Sequence, residues 1–279
     1  MKRACVIGWP IAHSRSPLIH NYWLKTYAID GAYTKEAVRP EDVATFLESL
    51  AERGLVGCNV TVPHKEAAFA AADETDASAR AVGAANTLWL AGGKLWATNT
   101  DTYGYMTSLG LAAPGWERKD APVCILGAGG AARAIVHGFL EAGVGEVRVF
   151  NRTRARAEAL AQQLGPRVTV CDWAERTSRA RDAAVLVNTT SIGLGGAGAL
   201  DIDLSRFNAD CVVSDIVYVP LETQLLAQAR ARGLRTVDGL GMLLHQAVPG
   251  FERWFGVHPE VTRELRDLLV ADIAGAKAC

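Results

Sequence analysis

Apolar residues fall first into short unbroken runs and then into three- and four-residue spacings, the signature of alternating strands and helices. Residues 4–8 form an apolar run that reads as a buried strand. Ser16-Pro17 then supplies a cap and a proline suited to a helix start, predicting a helix to about Tyr27. Arg39-Pro40-Glu41-Asp42 opens a second helix with acid in its first turn, and Val43, Phe46, Leu47 and Leu50 share one face before Gly54 stops it. Residues 55–62 predict a strand, Pro63 the start of another helix, and 86–90 with 94–97 a hairpin turning on Gly92-Gly93. Periodicity lapses over 110–122, a turn-rich and charged stretch that predicts a domain boundary. Strands at 123–126, 146–150, 167–171 and 183–188, with helices at 131–142 and 153–164, then read as βαβ units. A strand at 211–215, a helix at 221–232 and a strand at 234–237 follow, and 242–255 and 259–274 read as two closing helices.

Composition narrows the class. The 279 residues are 49% hydrophobic and 21% charged, enough to bury a sizeable core, and the length suits two domains. Twenty-nine basic residues against thirty acidic ones leave a net charge of -1, without the basic excess of a nucleic-acid-binding surface. No apolar run reaches the roughly 20 residues that span a bilayer. Met1-Lys2-Arg3 ahead of residues 4–12 has the outline of a short secretory signal, but Gly8, Pro10 and His13 interrupt it and no convincing cleavage site follows. Cys5, Cys58, Cys124, Cys171, Cys211 and Cys279 lie far apart with no C-x-x-C pair, and five of them fall in or beside strand-like runs. Buried reduced thiols in a cytoplasmic protein are the expectation.

The strongest local signal is Gly127-Ala128-Gly129-Gly130-Ala131-Ala132, directly after an apolar strand and opening a helix. Without a Cβ the backbone can turn tightly and approach a pyrophosphate, whose charge meets the N–H groups at the helix start. A turn packed for its own sake is the alternative, disfavoured because strand, turn and helix all match. The end of the following strand selects the nucleotide. Here stands Asn151-Arg152-Thr153-Arg154-Ala155-Arg156 in place of the acid that would accept from an NAD ribose. Guanidinium groups pair with a 2′-phosphate, so the cofactor read from these residues is NADP, although three arginines taken alone would describe a solvated helix face.

Polar residues also gather beside strands of the first half. Ser14 and Ser16 straddle Arg15 at the first strand-to-helix turn; Ser16, next to Pro17, reads as a helix cap, and such hydroxyls can also bind the carboxylate of a small acid. Alternation sends Asn59 and Thr61 to one face of a strand end. Lys65 falls in the first turn of a helix, where the dipole opposes a cation, so a chemical role becomes more attractive. Asn86 and Asp101 flank the hairpin and could reach one pocket, or be ordinary turn residues. His13, His20, His64 and His245 show no metal-ligand spacing, and no metal is expected.

Taken together, the motifs resemble those of the shikimate dehydrogenase family over nearly the whole chain. The resemblance rests on residues 8–17, 59–65, 83–87 and 99–101 in the first half. In the second half it rests on 127–132, Asn151-Arg152-Thr153 with Arg156, 188–193, 215–220, and 238–242 with Gln246. It implies an α/β chain of two domains: a substrate-binding and catalytic domain at 1–109, a Rossmann-type doubly wound NADP domain at 110–238, and helices at 239–279 packing back on the first. It implies reversible NADPH-linked reduction of 3-dehydroshikimate to shikimate in aromatic amino-acid biosynthesis, by a monomer or homodimer. Ser14 and Ser16 would bind the substrate carboxylate, and Thr61, Asn86, Asp101, Tyr218 and Gln246 would hold its ring hydroxyls or close the pocket around it. Lys65 and Asp101 would form the catalytic pair. Gly127, Ala128, Gly129, Gly130, Ala131, Asn151, Arg152, Thr153, Arg156, Ile216 and Gly239 would contact NADP. Ala77 departs from the pattern, since some members carry an acid there. A broader quinate/shikimate dehydrogenase accepting NAD is the nearest alternative, against which Arg152 and Ser14 argue. A non-catalytic NADP-binding sensor is another, against which Lys65 and Asp101 argue.

Overall fold

The computed structural model describes residues 1–118 and 120–275, which divide into two compact units, 1–101 with 246–275, and 102–245. The first unit is built on β1 (Lys2–Gly8), β2 (Gly31–Ala37), β3 (Gly57–Val60), β4 (Glu74–Thr75), β5 (Thr87–Ala91) and β6 (Lys94–Thr98). Their order is β2-β1-β3-β5-β6-β4, with β2, β1 and β3 parallel and β5 antiparallel to both its neighbours. Helices α1 (Ser16–Thr26), α2 (Val43–Glu48), α3 (Lys65–Ala71) and α4 (Ala77–Val82) connect them. One sheet face buries Cys5, Ile7, Cys58, Val60 and Leu88 against Val43, Phe46 and Leu47 of α2.

The second unit begins one residue into α5 (Asp101–Ala112), so the turn-rich 110–122 stretch lies inside it. Its strands are β7 (Val123–Leu126), β8 (Val147–Phe150), β9 (Val168–Cys171), β10 (Val185–Asn188), β11 (Val212–Asp215) and β12 (Arg235–Val237), all parallel, in the order β12-β11-β10-β7-β8-β9. This is the doubly wound dinucleotide-binding order, reversing direction between β7 and β10. Helices α6 (Gly130–Glu141), α7 (Arg154–Leu164), α8 (Arg176–Arg179) and α9 (Gln224–Ala231) accompany it. Val123 and Ile125 pack in one core with Ile135 and Phe139, and Cys124 and Leu126 in another with Leu225 and Leu226. Burial on both faces explains why these strands read as unbroken apolar runs.

Helices α10 (Gly239–Phe255) and α11 (Arg263–Gly275) close the described chain. From Gln246 onward they belong to the first unit: the Trp254 indole donates to the Leu88 carbonyl at 2.9 Å, Trp23 to that of Glu260 at 2.9 Å, and Arg15 pairs with Asp272 at 2.7 Å. Among the described residues, no helix is long and apolar enough to cross a membrane. Cys5, Cys58, Cys124, Cys171 and Cys211 are buried and free, and Cys279 lies outside the described residues.

Three local expectations need correction. The helix expected from Pro63 begins at Lys65, because 61–64 form a turn in which the His64 N–H donates to the Thr61 carbonyl at 3.0 Å and its ring to that of Val38 at 2.8 Å. The helix expected over 39–54 is a 3-10 turn at Pro40–Asp42 followed by α2 alone. Ser16 is no cap: Arg15 holds the N-cap position of α1 and no side chain caps it.

Candidate active site

The chemistry of the first unit centres on Lys65 and Asp101. Lys65 is the first residue of α3 and Asp101 the first of α5, and the lysine Nζ donates to Asp101 Oδ2 at 2.5 Å. The carboxylate gains from its place at a helix N-terminus, where its own N–H donates to Asn99 Oδ1 at 3.0 Å. Its second oxygen accepts from Asn86 Nδ2 at 2.8 Å. That amide cannot turn over, because its oxygen accepts the Thr100 N–H at 2.8 Å and the hydroxyls of Thr100 and Thr87 at 3.1 Å each. Asn86, Thr87, Thr100 and Asp101 are all buried, whereas the Lys65 side chain is 23% exposed. The lysine is therefore the more open member of the pair.

Behind this contact, Asn59 on β3 donates to the Asn86 carbonyl at 3.1 Å and to the Thr87 hydroxyl at 3.0 Å, and accepts from the Tyr33 hydroxyl at 2.5 Å. Thr61 follows at the end of the same strand, half-buried. Ser14 and Ser16 stand side by side with hydroxyls 3.4 Å apart at the uncapped start of α1. The Ser14 hydroxyl also accepts the Ser16 N–H at 3.4 Å, and two adjacent hydroxyls at a helix start suit a carboxylate. Gln246, half-buried on α10, belongs to this unit as well. Thus Ser14, Ser16, Thr61, Lys65, Asn86, Asp101 and Gln246 share one unit, while Tyr218 lies in the other.

In the second unit the turn after β7 fits a nucleotide. Gly127 has φ +111, and a Cβ there would sit 2.5 Å from the Thr189 hydroxyl, so only glycine serves. A Cβ on Gly129 or Gly130 would meet nothing within 4 Å, leaving open space above the start of α6, which has no side-chain cap. Ala128 is buried and Ala131 half-buried in the same turn. After β8, Asn151 Nδ2 donates to the Thr153 carbonyl at 2.7 Å and shapes the turn that presents Arg152. Arg154 is occupied by Glu158 at 2.9 Å and by Asp172. Arg152 and Arg156 are exposed and pair with no carboxylate among the described residues, so two guanidiniums remain for a phosphate. After β11, the Ile216 N–H donates to the Asn188 carbonyl at 3.1 Å, and the Ile216 carbonyl lies against Gly239, where a Cβ could not fit.

Asn59, Tyr33, Thr87, Asn99 and Thr100 support the pair without a role legible from sequence: apart from Tyr33 they stand within or beside the motifs of the first half, but most of their bonds join residues too far apart in sequence for spacing to display them.

A doubly wound sheet with an open phosphate turn, joined to an α/β unit holding a lysine–aspartate pair, defines a two-domain nicotinamide-nucleotide dehydrogenase. Comparison with known proteins narrows that class. Residues 6–88 match the family described as shikimate dehydrogenase substrate binding domain, 111–193 that of shikimate / quinate 5-dehydrogenase, and 239–263 the shikimate 5'-dehydrogenase C-terminal domain. The shikimate dehydrogenase (NADP(+)) of Azorhizobium caulinodans is 55% identical over 98% of both chains. Among solved structures, the shikimate 5-dehydrogenase of Thermus thermophilus in complex with NADP(H) and shikimate aligns over 99% of this chain and 100% of that one, at 34% identity and TM-score 0.86. The quinate dehydrogenase of Corynebacterium glutamicum in complex with NAD aligns over 97% and 99%, at 29% identity and TM-score 0.89. The chain belongs to the shikimate dehydrogenase family.

Proposed function

We propose that the protein catalyses reversible, NADP-linked interconversion of shikimate and 3-dehydroshikimate in aromatic amino-acid biosynthesis. The observation that carries the mechanism is the 2.5 Å contact of Lys65 with an Asp101 carboxylate held from its other side by Asn86. NADPH, when bound by Gly127 to Ala131, Asn151, Arg152, Thr153, Arg156, Ile216 and Gly239, supplies the hydride that reduces the ketone. Charge then builds on the carbonyl oxygen, and the Lys65 ammonium stabilises it and delivers the proton; in the oxidative direction Lys65 takes the proton from the hydroxyl. Asp101 keeps the ammonium oriented and accepts from a neighbouring ring hydroxyl. Ser14 and Ser16 hold the substrate carboxylate, and Thr61, Asn86, Tyr218 and Gln246 hold ring hydroxyls. Ala77 at the start of α4 leaves this chain without the acid that some members bring there. Five buried free thiols accord with work in the reducing cytoplasm, and the protein acts as a monomer or homodimer.

The test is shikimate-dependent reduction of NADP+, run beside quinate and NAD+, on the parent and Lys65→Ala. The parent should prefer shikimate with NADP+, and Lys65→Ala should lower kcat about 100-fold or more with little change in the Michaelis constant for shikimate. Preference for quinate and NAD+ would favour the reading suggested by the quinate dehydrogenase neighbour. Undiminished kcat in the variant would reduce Lys65 to a binding group.

A further inference from the structure

Asp215 ends β11 with its side chain almost wholly buried, and nothing above uses it. Three donors surround its carboxylate. Oδ1 accepts from Asn188 Nδ2 at 2.9 Å and from the Val217 N–H at 3.0 Å, and Oδ2 accepts from the Thr223 hydroxyl at 2.8 Å. Burial pushes the carboxyl up to about 6 and the three donors work against that rise, so it is chiefly ionised at neutral pH. Asn188, at the end of β10, uses its other amide atom on the next loop: its Oδ1 accepts from the Thr190 N–H at 3.0 Å and the Thr190 hydroxyl at 2.7 Å. One buried pair thus ties together the loops leaving two adjacent parallel strands.

These loops bear on the nucleotide. The first residue past Asp215 is Ile216, whose N–H is held by the Asn188 carbonyl and whose carbonyl lies against Gly239. Tyr218 follows two residues later. The phosphate turn and Arg152 leave β7 and β8, whereas Asn188 and Asp215 leave β10 and β11, on the other side of the point where strand order reverses. A dinucleotide lies across that point with one half on each side.

We infer that Asp215 and Asn188 are positioning residues for the nicotinamide half of the nucleotide, fixing the backbone that carries Ile216 and Tyr218 without touching the ligand themselves. The inference rests on the NADP reading above. A purely structural role would weaken every ligand of the unit alike, whereas a positioning role spares the adenosine half held by the glycine turn and Arg152.

The experiment titrates NADP+ and 2′,5′-ADP, which lacks the nicotinamide, into the full chain and into Asp215→Ala and Asp215→Asn, with melting curves to confirm folding. Asp215→Ala, which removes all three of the carboxylate's hydrogen bonds, should weaken NADP+ about tenfold or more and leave 2′,5′-ADP within about twofold. Asp215→Asn keeps an acceptor for Asn188 and Val217 and should recover most of the NADP+ affinity. Should Asp215→Ala fail to fold, Thr223→Val, which removes the bond to Oδ2 together with the hydroxyl that caps α9 at the Leu226 N–H, carries the same test with a smaller loss in the same direction, the lost cap being read from the melting curve. Equal weakening of both ligands, or of neither, overturns the inference. A parent chain that binds neither ligand would instead refute the NADP reading.

Discussion

His20, on α1, is fully buried among aromatic rings: Tyr33 stacks on it at 4.0 Å, and Trp254, Trp23 and Phe251 lie at 5.5, 5.7 and 5.9 Å. Neither ring nitrogen has a hydrogen-bond partner, and burial drives its pKa down to about 3, with the nearby Asn59 amide opposing that fall from outside hydrogen-bond geometry. A folded-state pKa below the unfolded one means stability is intact above about pH 6.5 and is lost as pH falls, because only the unfolded chain takes up the proton. At pH 5 the difference is about one and a half pH units of unmatched protonation, or about 2 kcal/mol. His20→Phe removes the titration and keeps a ring in place. Urea unfolding read by tryptophan fluorescence, to which Trp23 and Trp254 contribute beside the site, should show the variant gaining about 2 kcal/mol on the parent between pH 7.5 and 5. Any packing cost of the larger ring is constant with pH and drops out of that comparison. Asp215, raised to about 6, has the opposite sign, its unit gaining stability as pH falls from about 6 toward 4, but it is common to both proteins and also cancels. Stability profiles that run parallel from pH 7.5 to 5 would refute the account of His20.

Further expectations concern ligands and packing. Arg152→Ala should weaken NADP+ by about 10- to 100-fold and NAD+ far less, because only the former carries the 2′-phosphate; equal losses in fluorescence titrations would show that Arg152 does not read that group. Gln246→Ala should weaken shikimate by about 1 to 2 kcal/mol and leave NADP+ affinity nearly unchanged, which separate titrations of the two ligands would check. Gly57→Ala should destabilise the first unit by about 3 kcal/mol, because the new methyl would fall between the Trp254 indole and the Leu88 carbonyl; an unchanged denaturation midpoint would mean that α10 shifts freely to make room.

The parts of the fold that could be read directly from sequence are those whose burial is uniform. Strands β7 and β8 are covered on both faces, so Val123 to Leu126 and Val147 to Phe150 appear as apolar runs whatever surrounds them, and the glycine turn between β7 and α6 follows from local geometry alone. Strand β2 escaped because it is an edge strand in which only Tyr33 is buried, leaving Gly-Ala-Tyr-Thr-Lys-Glu-Ala without alternation. Strand β4 has two residues and α4 six, too short for any period to register.

The site was legible as residue types and illegible as contacts, and Lys65 shows the physical reason. From sequence it is an anomaly, a cation at a helix start where the dipole opposes it, and an anomaly announces a function without naming its partner. The partner is Asp101, at the start of a different helix, where the same dipole favours the opposite charge. Neither helix encodes the pairing. It depends on Asn86 presenting its amide nitrogen to Asp101, and that depends on the backbone N–H of Thr100 having claimed the amide oxygen. A main-chain donor carries no side-chain identity, so this selection leaves no mark on composition or spacing. The orientation of the Lys65–Asp101 pair is therefore a property of the turn between β6 and α5, and on the mechanism proposed above substitutions that disturb that turn should act on the chemistry even where Lys65 and Asp101 are untouched.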